Sequence, residues 1–218
     1  MSTQTEDRRA LFLMLSLFAF VALAPFLAGN RTGELVLLIS LSVSMVAAIL
    51  ELAGNPLFLR IAVPLAMVSA GASFLFYFHP LRSISFLYFG SLVLFLGTVT
   101  ITLFVYLGRR GAITRGRIFG SVSLYFIIAF VWFGIYNLIN TKFPGAFAGS
   151  AYAGITDLPR GTFLYFSMVT LTTLGYGDII PVHPVARAAA SMEAVTGVLY
   201  LTITVARLVS NYQHSAEE

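Results

Sequence analysis

Seven consecutive residues, Thr172-Thr173-Leu174-Gly175-Tyr176-Gly177-Asp178, carry the clearest chemical signal in this sequence. Glycines at alternating positions open backbone conformations closed to residues with a Cβ, so successive carbonyl oxygens can face one axis. Such a ladder replaces the water around a cation. One chain offers too few oxygens to enclose an ion, and this chain carries the stretch once, so several copies must meet around an axis.

The surroundings must hold that stretch inside a membrane. The 218 residues are 58% apolar and 10% charged, well beyond the apolar share of soluble domains. Apolar runs of the roughly 20 residues that a crossing needs fall near 10–29, 34–53, 57–79, 84–108, 117–140 and 184–210. The breaks Gly29-Asn30-Arg31-Thr32-Gly33, Gly54-Asn55-Pro56 and His79-Pro80-Leu81-Arg82 carry turn chemistry and are short enough to join antiparallel neighbours. The first four crossings therefore predict a compact bundle. Residues 141–183 are too polar and interrupted to cross, and their apolar stretch 161–171 predicts a re-entrant segment. A membrane tolerates one only where protein or a watery cavity shields the backbone. Asp157-Leu158-Pro159 predicts the start of a short helix, with Asp157 as cap and Pro159 in the first turn, running to about Thr172. Its C-terminal, negative dipole end would favour a cation beside the glycines.

Basic residues predict the orientation. With the N-terminus in the cytoplasm, Arg8, Arg9, Arg60, Arg109, Arg110, Arg115, Arg117 and Arg207 lie inside, against Arg31, Arg82, Lys142, Arg160 and Arg187 outside. Both termini are then cytoplasmic and the re-entrant segment enters from outside. Arg8-Arg9 ahead of residues 11–24 imitates a cleavable signal, down to Ala22-Leu23-Ala24. Pro25 and the continuing Phe26-Leu27-Ala28 instead predict a retained first helix and a chain that starts near Met1. Cysteine is absent, which excludes disulfides, thiolate metal sites and a cysteine nucleophile. The basic residues form no aromatic-interleaved patch, so nucleic acid is not an expected partner. His79, His183 and His214 fall at span ends or in loops and there is no Gly-x-Ser-x-Gly elbow, so no enzyme is expected.

Residues Thr173-Leu174-Gly175-Tyr176-Gly177-Asp178 resemble the selectivity-filter signature of the potassium channel family, with Leu174 where valine is more usual, and the likeness covers about 117–212. The resemblance implies an all-α membrane protein: a four-helix N-terminal bundle, then a helix, a re-entrant pore helix with its filter, and an inner helix, assembled as a homotetrameric pore. It implies K+ as the permeant ion, ringed by the carbonyls of Thr173, Leu174, Gly175 and Tyr176 and the Thr173 hydroxyl. Gly177 completes that filter and Asp178 sits at its outer mouth. The implied partners are three further copies and membrane lipids, the implied place is the cell membrane, and no organic cofactor is implied. The expected organisation is a four-span domain over 1–108, a basic cytoplasmic connector over 109–117, a pore domain over 118–212 and a short cytoplasmic tail over 213–218. Two other readings share the motif: a poorly selective cation channel, and the membrane subunit of a potassium uptake system. Members of the latter carry four fused filter repeats, against one here.

The last span resembles the family's inner helix. Gly197 lies where that helix often bends, which reads as a hinge or as a point of close helix packing. Helical spacing turns Val198, Leu201, Val205 and Val209 to one face, a cavity wall or hydrophobic gate on one reading and a lipid-facing surface on the other. Glu193, an acid inside a span, needs a partner or a proton. It reads either as a titrating brace behind the filter, near the hydroxyls of Thr170 and Thr172, or as a structural carboxyl satisfied within the subunit. Val169 stands where some bacterial relatives carry a buried acid, so no acid bridge reaches Asp178 from there. Tyr165 is the alternative partner for Asp178, or an aromatic packed at the pore-helix interface. Residues 84–108 contain no Arg or Lys, and Arg60 and Arg82 are solitary near span ends, with Glu51 placed to pair with Arg60. The bundle is therefore expected to move no sensor charge with voltage. Residues 210–218 are too few for a ligand-binding domain.

Overall fold

The computed structural model describes residues 3–27, 31–108, 114–149 and 158–216, with side chains from Gln4 to Arg207 within those ranges. In chain order the elements are α1 (Thr3–Leu27), α2 (Arg31–Glu51), α3 (Pro56–Phe78), α4 (Arg82–Gly108), α5 (Arg115–Lys142), β1 (Phe147–Gly149), α6 (Thr162–Leu171), β2 (Ile179–Pro181) and α7 (Pro184–Ala216). Every helix but α6 is long and apolar enough to cross a membrane, six among the described residues. This is the all-α membrane architecture expected, with each expected crossing carried by one helix. Helix α1 also takes in Glu6, Asp7, Arg8 and Arg9, which the apolar run left out.

Local chemistry accounts for several of these boundaries. Pro56 opens α3, where its missing N–H costs nothing, and Asn55 Oδ1 accepts from the N–H groups of Leu57 (3.1 Å) and Phe58 (3.2 Å) as its cap. Within the spans, hydroxyls return to their own helix. Ser42, Ser73, Ser91 and Thr102 donate to the carbonyls of Leu38, Ala70, Leu87 and Thr98 at 2.6–2.9 Å. Such back-bonding removes polar atoms from competition with hydrocarbon.

The chain divides into two compact units, one of residues 1–64, 96–128 and 199–218, the other of 65–95 and 129–198. In the first, α1 packs on α2, and Leu13 and Leu17 of α1 and Leu41, Met45 and Ala48 of α2 are buried. Asp7 Oδ1 accepts from the Gly116 N–H (2.6 Å), satisfying an otherwise unpaired donor at the start of α5 with a negative charge that suits the helix dipole. Farther along, the Tyr200 hydroxyl donates to the Ser121 carbonyl (2.5 Å) and the Arg207 guanidinium lies over the Phe104 ring.

The second unit holds the glycine stretch. Its core is aromatic: Tyr136, Phe147, Phe163 and Phe166 are buried and meet edge-on at centroid distances of 4.9–5.5 Å, the geometry that ring quadrupoles favour. Strand β1 pairs antiparallel with β2, Phe147 opposite Pro181 and Gly149 opposite Ile179. The N–H groups of Val182 and His183 also donate to the Ala146 carbonyl (2.9 and 3.1 Å). The segment following Asp178 is thus bonded to the segment following α5.

The start of α6 departs from the expected one. The helix begins at Thr162 with Gly161 at its cap position and no side-chain cap. Residues 159–161 instead form a tighter turn, in which Thr162 N–H donates to Pro159 O (3.0 Å) and Phe163 N–H to Arg160 O (3.2 Å). That pattern is the three-residue bonding of a 3₁₀ turn, which places Pro159 ahead of the α-helix. Asp157, the expected cap, lies outside the described residues, as do Arg109 and Arg110 of the expected basic connector.

Candidate functional site

The stretch from Thr173 to Gly177 leaves the C-terminal end of α6 in an unusual conformation. Thr173 (φ 58°), Gly175 (φ 59°) and Gly177 (φ 76°) all take left-handed backbone angles, while Leu174 and Tyr176 between them do not. Alternating hands turn successive peptide planes so that their carbonyls face the same way instead of opposite ways, which is what a ladder of oxygens needs. A Cβ at Gly175 or Gly177 would touch no other group, so the conformation, not space, demands glycine there. Thr173 is β-branched, and the left-handed region costs such a residue on the order of 1–3 kcal/mol.

Hydrogen bonds from α6 hold this backbone in place. Thr173 N–H donates to Thr170 O (3.0 Å), Leu174 N–H to Val169 O (2.9 Å) and Gly175 N–H to the same carbonyl (3.4 Å). At the far end, Asp178 Oδ2 accepts from the Tyr165 hydroxyl (2.7 Å) and its Oδ1 from the Ile179 N–H (3.1 Å). This bond is the main cause that pushes the Tyr165 hydroxyl up to about 12, so Tyr165 stays a donor across the physiological range. The side chains of Leu174 and Tyr176 are exposed within this single chain.

Helix α7 meets α6 along two successive turns. Glu193 is completely buried. Its Oε2 accepts from the Tyr136 hydroxyl on α5, and its Oε1 is bonded to Ser167 Oγ on α6. Ser167 Oγ in turn bonds to the Ala129 carbonyl (2.8 Å). One turn later, a Cβ at Gly197 would lie 2.1 Å from the carbonyl oxygen of Leu171, the last residue of α6. Glycine at 197 is what lets α7 approach the end of α6 so closely, and a methyl there overpacks at a cost of about 1–3 kcal/mol.

The expected partners of Glu193 are corrected by this arrangement. Thr172 Oγ1 donates back to Met168 O (2.7 Å), while Ser167, three and five residues before Thr170 and Thr172, occupies the α6 face that meets the acid. Tyr136 and Ser167 went unnoticed in the sequence because each reads as one hydroxyl in an apolar run. The signal available was the acid itself, which obliges hydroxyls on neighbouring helices to face it. Val198, Leu201 and Val205 are about half exposed in the single chain, and the Val209 side chain lies outside the described residues.

Residues 122–214 match the model of a family described as "Ion channel". The chain is 36% identical over 66 residues to the potassium voltage-gated channel protein shk-1 of Caenorhabditis elegans, covering 30% of this chain and 12% of that protein. It is 29% identical over 82 residues to the inward rectifier potassium channel Kirbac3.1 of Paramagnetospirillum magnetotacticum, covering 36% of this chain and 28% of the relative. The human A-type voltage-gated potassium channel KCND3 is 34% identical over 64 residues, 29% of this chain and 10% of the relative. The matches thus span 10–28% of these relatives' own lengths. No solved structure matches the chain.

Proposed function

We propose that this chain is a potassium channel, on its likeness over residues 122–214 to an ion-channel family and to potassium channels, and that it conducts K+ passively through a pore of four copies. The permeant ion is the cargo. Carbonyl oxygens of Thr173, Leu174, Gly175 and Tyr176, with the Thr173 hydroxyl, ring it in place of water, and the Tyr165–Asp178 bond holds the outer mouth. The alternation of left-handed angles at Thr173, Gly175 and Gly177 carries this reading, because an ordinary glycine turn has no need of three such residues spaced by two. Four-fold symmetry supplies the oxygens that one chain lacks and shields the re-entrant backbone from lipid.

In this reading the protein lies in the cell membrane, with the basic residues of the α4–α5 connection and both ends of the chain in the cytoplasm. Exposed Val198, Leu201 and Val205 face the cavity below the filter, and with Val209 they are the place for a hydrophobic gate. Gly197 seats the end of the pore helix, and bending there opens the gate. Between Arg82 and Gly108, helix α4 carries no basic residue, so the pore is not opened by a transmembrane charge array. The test is flux from liposomes of purified protein, with Na+ as the comparison ion and Ba2+ as blocker. K+-selective, Ba2+-sensitive flux that vanishes in Gly175→Ala is expected. Equal flux of K+ and Na+ would replace this reading with a poorly selective cation channel, and an equal leak from wild type and variant would overturn the filter assignment.

A further inference from the structure

Three oxygen–oxygen contacts meet behind the glycine stretch, and each needs one hydrogen. They join the Tyr136 hydroxyl to Glu193 Oε2, Glu193 Oε1 to Ser167 Oγ, and Ser167 Oγ to the Ala129 carbonyl. The carbonyl contributes no hydrogen, and Tyr136 and Ser167 contribute one each. The contact to Ala129 takes the only hydrogen that Ser167 has. The contact between Ser167 and the acid must then be filled from the acid, and Tyr136 fills the remaining one. This is the single assignment that completes all three. A second consideration agrees with it: Glu193 is completely buried and its carboxyl touches two hydroxyls, not a cation. A carboxylate so placed leaves an uncompensated charge in a low-dielectric interior, whereas the neutral acid leaves none.

We infer that Glu193 stands as the neutral carboxylic acid in a one-way hydrogen-bond chain, from Tyr136 to Glu193 to Ser167 to the Ala129 carbonyl, which ties α6 to α5 and α7 behind the filter. Tyr136, Ser167 and Glu193 are positioning residues and none of them touches the ion. Their influence on conduction rests on the proposed filter role of residues 173–177. Ser167 lies two residues before Val169, whose carbonyl anchors Leu174 and Gly175, so a loosened Ser167 frees the floor of the filter. The chain has a direction, and a glutamine at 193 reproduces it: its N–H donates to Ser167 and its carbonyl accepts from Tyr136.

The experiment uses the full chain reconstituted in liposomes at neutral pH and reads two quantities. The infrared difference spectrum of wild type minus Glu193→Gln is expected to show the C=O stretch of a protonated carboxyl. K+ flux is expected to fall roughly tenfold or more in Glu193→Ala and in the near-isosteric Tyr136→Phe, the scale of one buried hydrogen bond left unmade, and to be rescued by Glu193→Gln. A carboxylate signature in the difference spectrum, or Glu193→Gln as damaged as Glu193→Ala, overturns the inference. The spectrum needs no conduction and Tyr136→Phe keeps the packing, so a misfolded alanine variant decides nothing by itself. A non-conducting wild type that still shows the protonated band overturns the filter reading and leaves the hydrogen-bond chain standing.

Discussion

Helices α2 to α4 and helices α5 to α7 both return hydroxyls to their own backbone, and in the second set further hydroxyls reach across to other elements. In the former, Ser42, Ser73, Ser91 and Thr102 donate to carbonyls three or four residues back in the same helix. In the latter, Ser121, Thr141 and Thr196 do the same, while Tyr136, Tyr165 and Ser167 bond to residues 57, 13 and 38 positions away in the chain. A bond within one helix satisfies an atom but constrains nothing beyond that helix. A bond between elements fixes one backbone against another, most firmly where it is buried away from water, as at Tyr136 and Ser167. The difference teaches where this molecule requires rigidity: around the short helix α6 and the strained residues after it.

Glycine substitutions test that contrast most severely. Gly175→Ala forces an L side chain into a left-handed angle and is expected to reduce K+ flux to background. Gly97→Ala in α4, where a Cβ meets nothing, is expected to leave flux unchanged; equal loss in both would erase the distinction. Next in size is Gly197→Ala, whose methyl lands on the Leu171 carbonyl. It should destabilise the protein by about 1–3 kcal/mol, read as a lowered thermal midpoint in detergent, and an unchanged midpoint would show that α7 holds no close seat for α6.

A smaller effect is expected from Tyr165→Phe, which removes the donor to Asp178 and should speed the decay of flux in low K+ severalfold. The pH dependence of this bond has a definite sign. Because the hydroxyl is raised from 10.0 to about 12, its contribution is complete below about pH 10 and disappears as pH climbs toward 12. A wild-type flux that varies between pH 6 and 9 would have to come from another group. The smallest effect belongs to the bundle. Arg60→Gln, a solitary basic residue in α3, should leave the voltage dependence of current unmoved. A measurable shift would return a sensing role to these helices, since a charge crossing the whole field is worth about 2.3 kcal/mol per 100 mV.

Much of this was legible in the chain. Hydropathy alone places six crossings to within a few residues of α1 to α5 and α7, apart from the charged start of α1, because a bilayer imposes one length and one composition on every span. The glycine stretch was equally plain, since alternating left-handed angles leave few residue choices. The lead-in to α6 was read one turn too early because a proline marks a helix start without saying whether a 3₁₀ turn comes first. Glu193 could be singled out as an acid needing a partner, but its partners are set by which faces of α5 and α6 turn toward α7. Helical phase within one element does not contain that information. The sequence by itself therefore determined the apolar spans, their number and the glycine stretch with its left-handed angles, all consequences of local composition and backbone sterics. Only the tertiary structure decided that Tyr136 and Ser167 close on Glu193, that Leu171 rests where Gly197 has no side chain, and that β1 holds the segment after Asp178, because each of these joins atoms that nothing short of packing brings together.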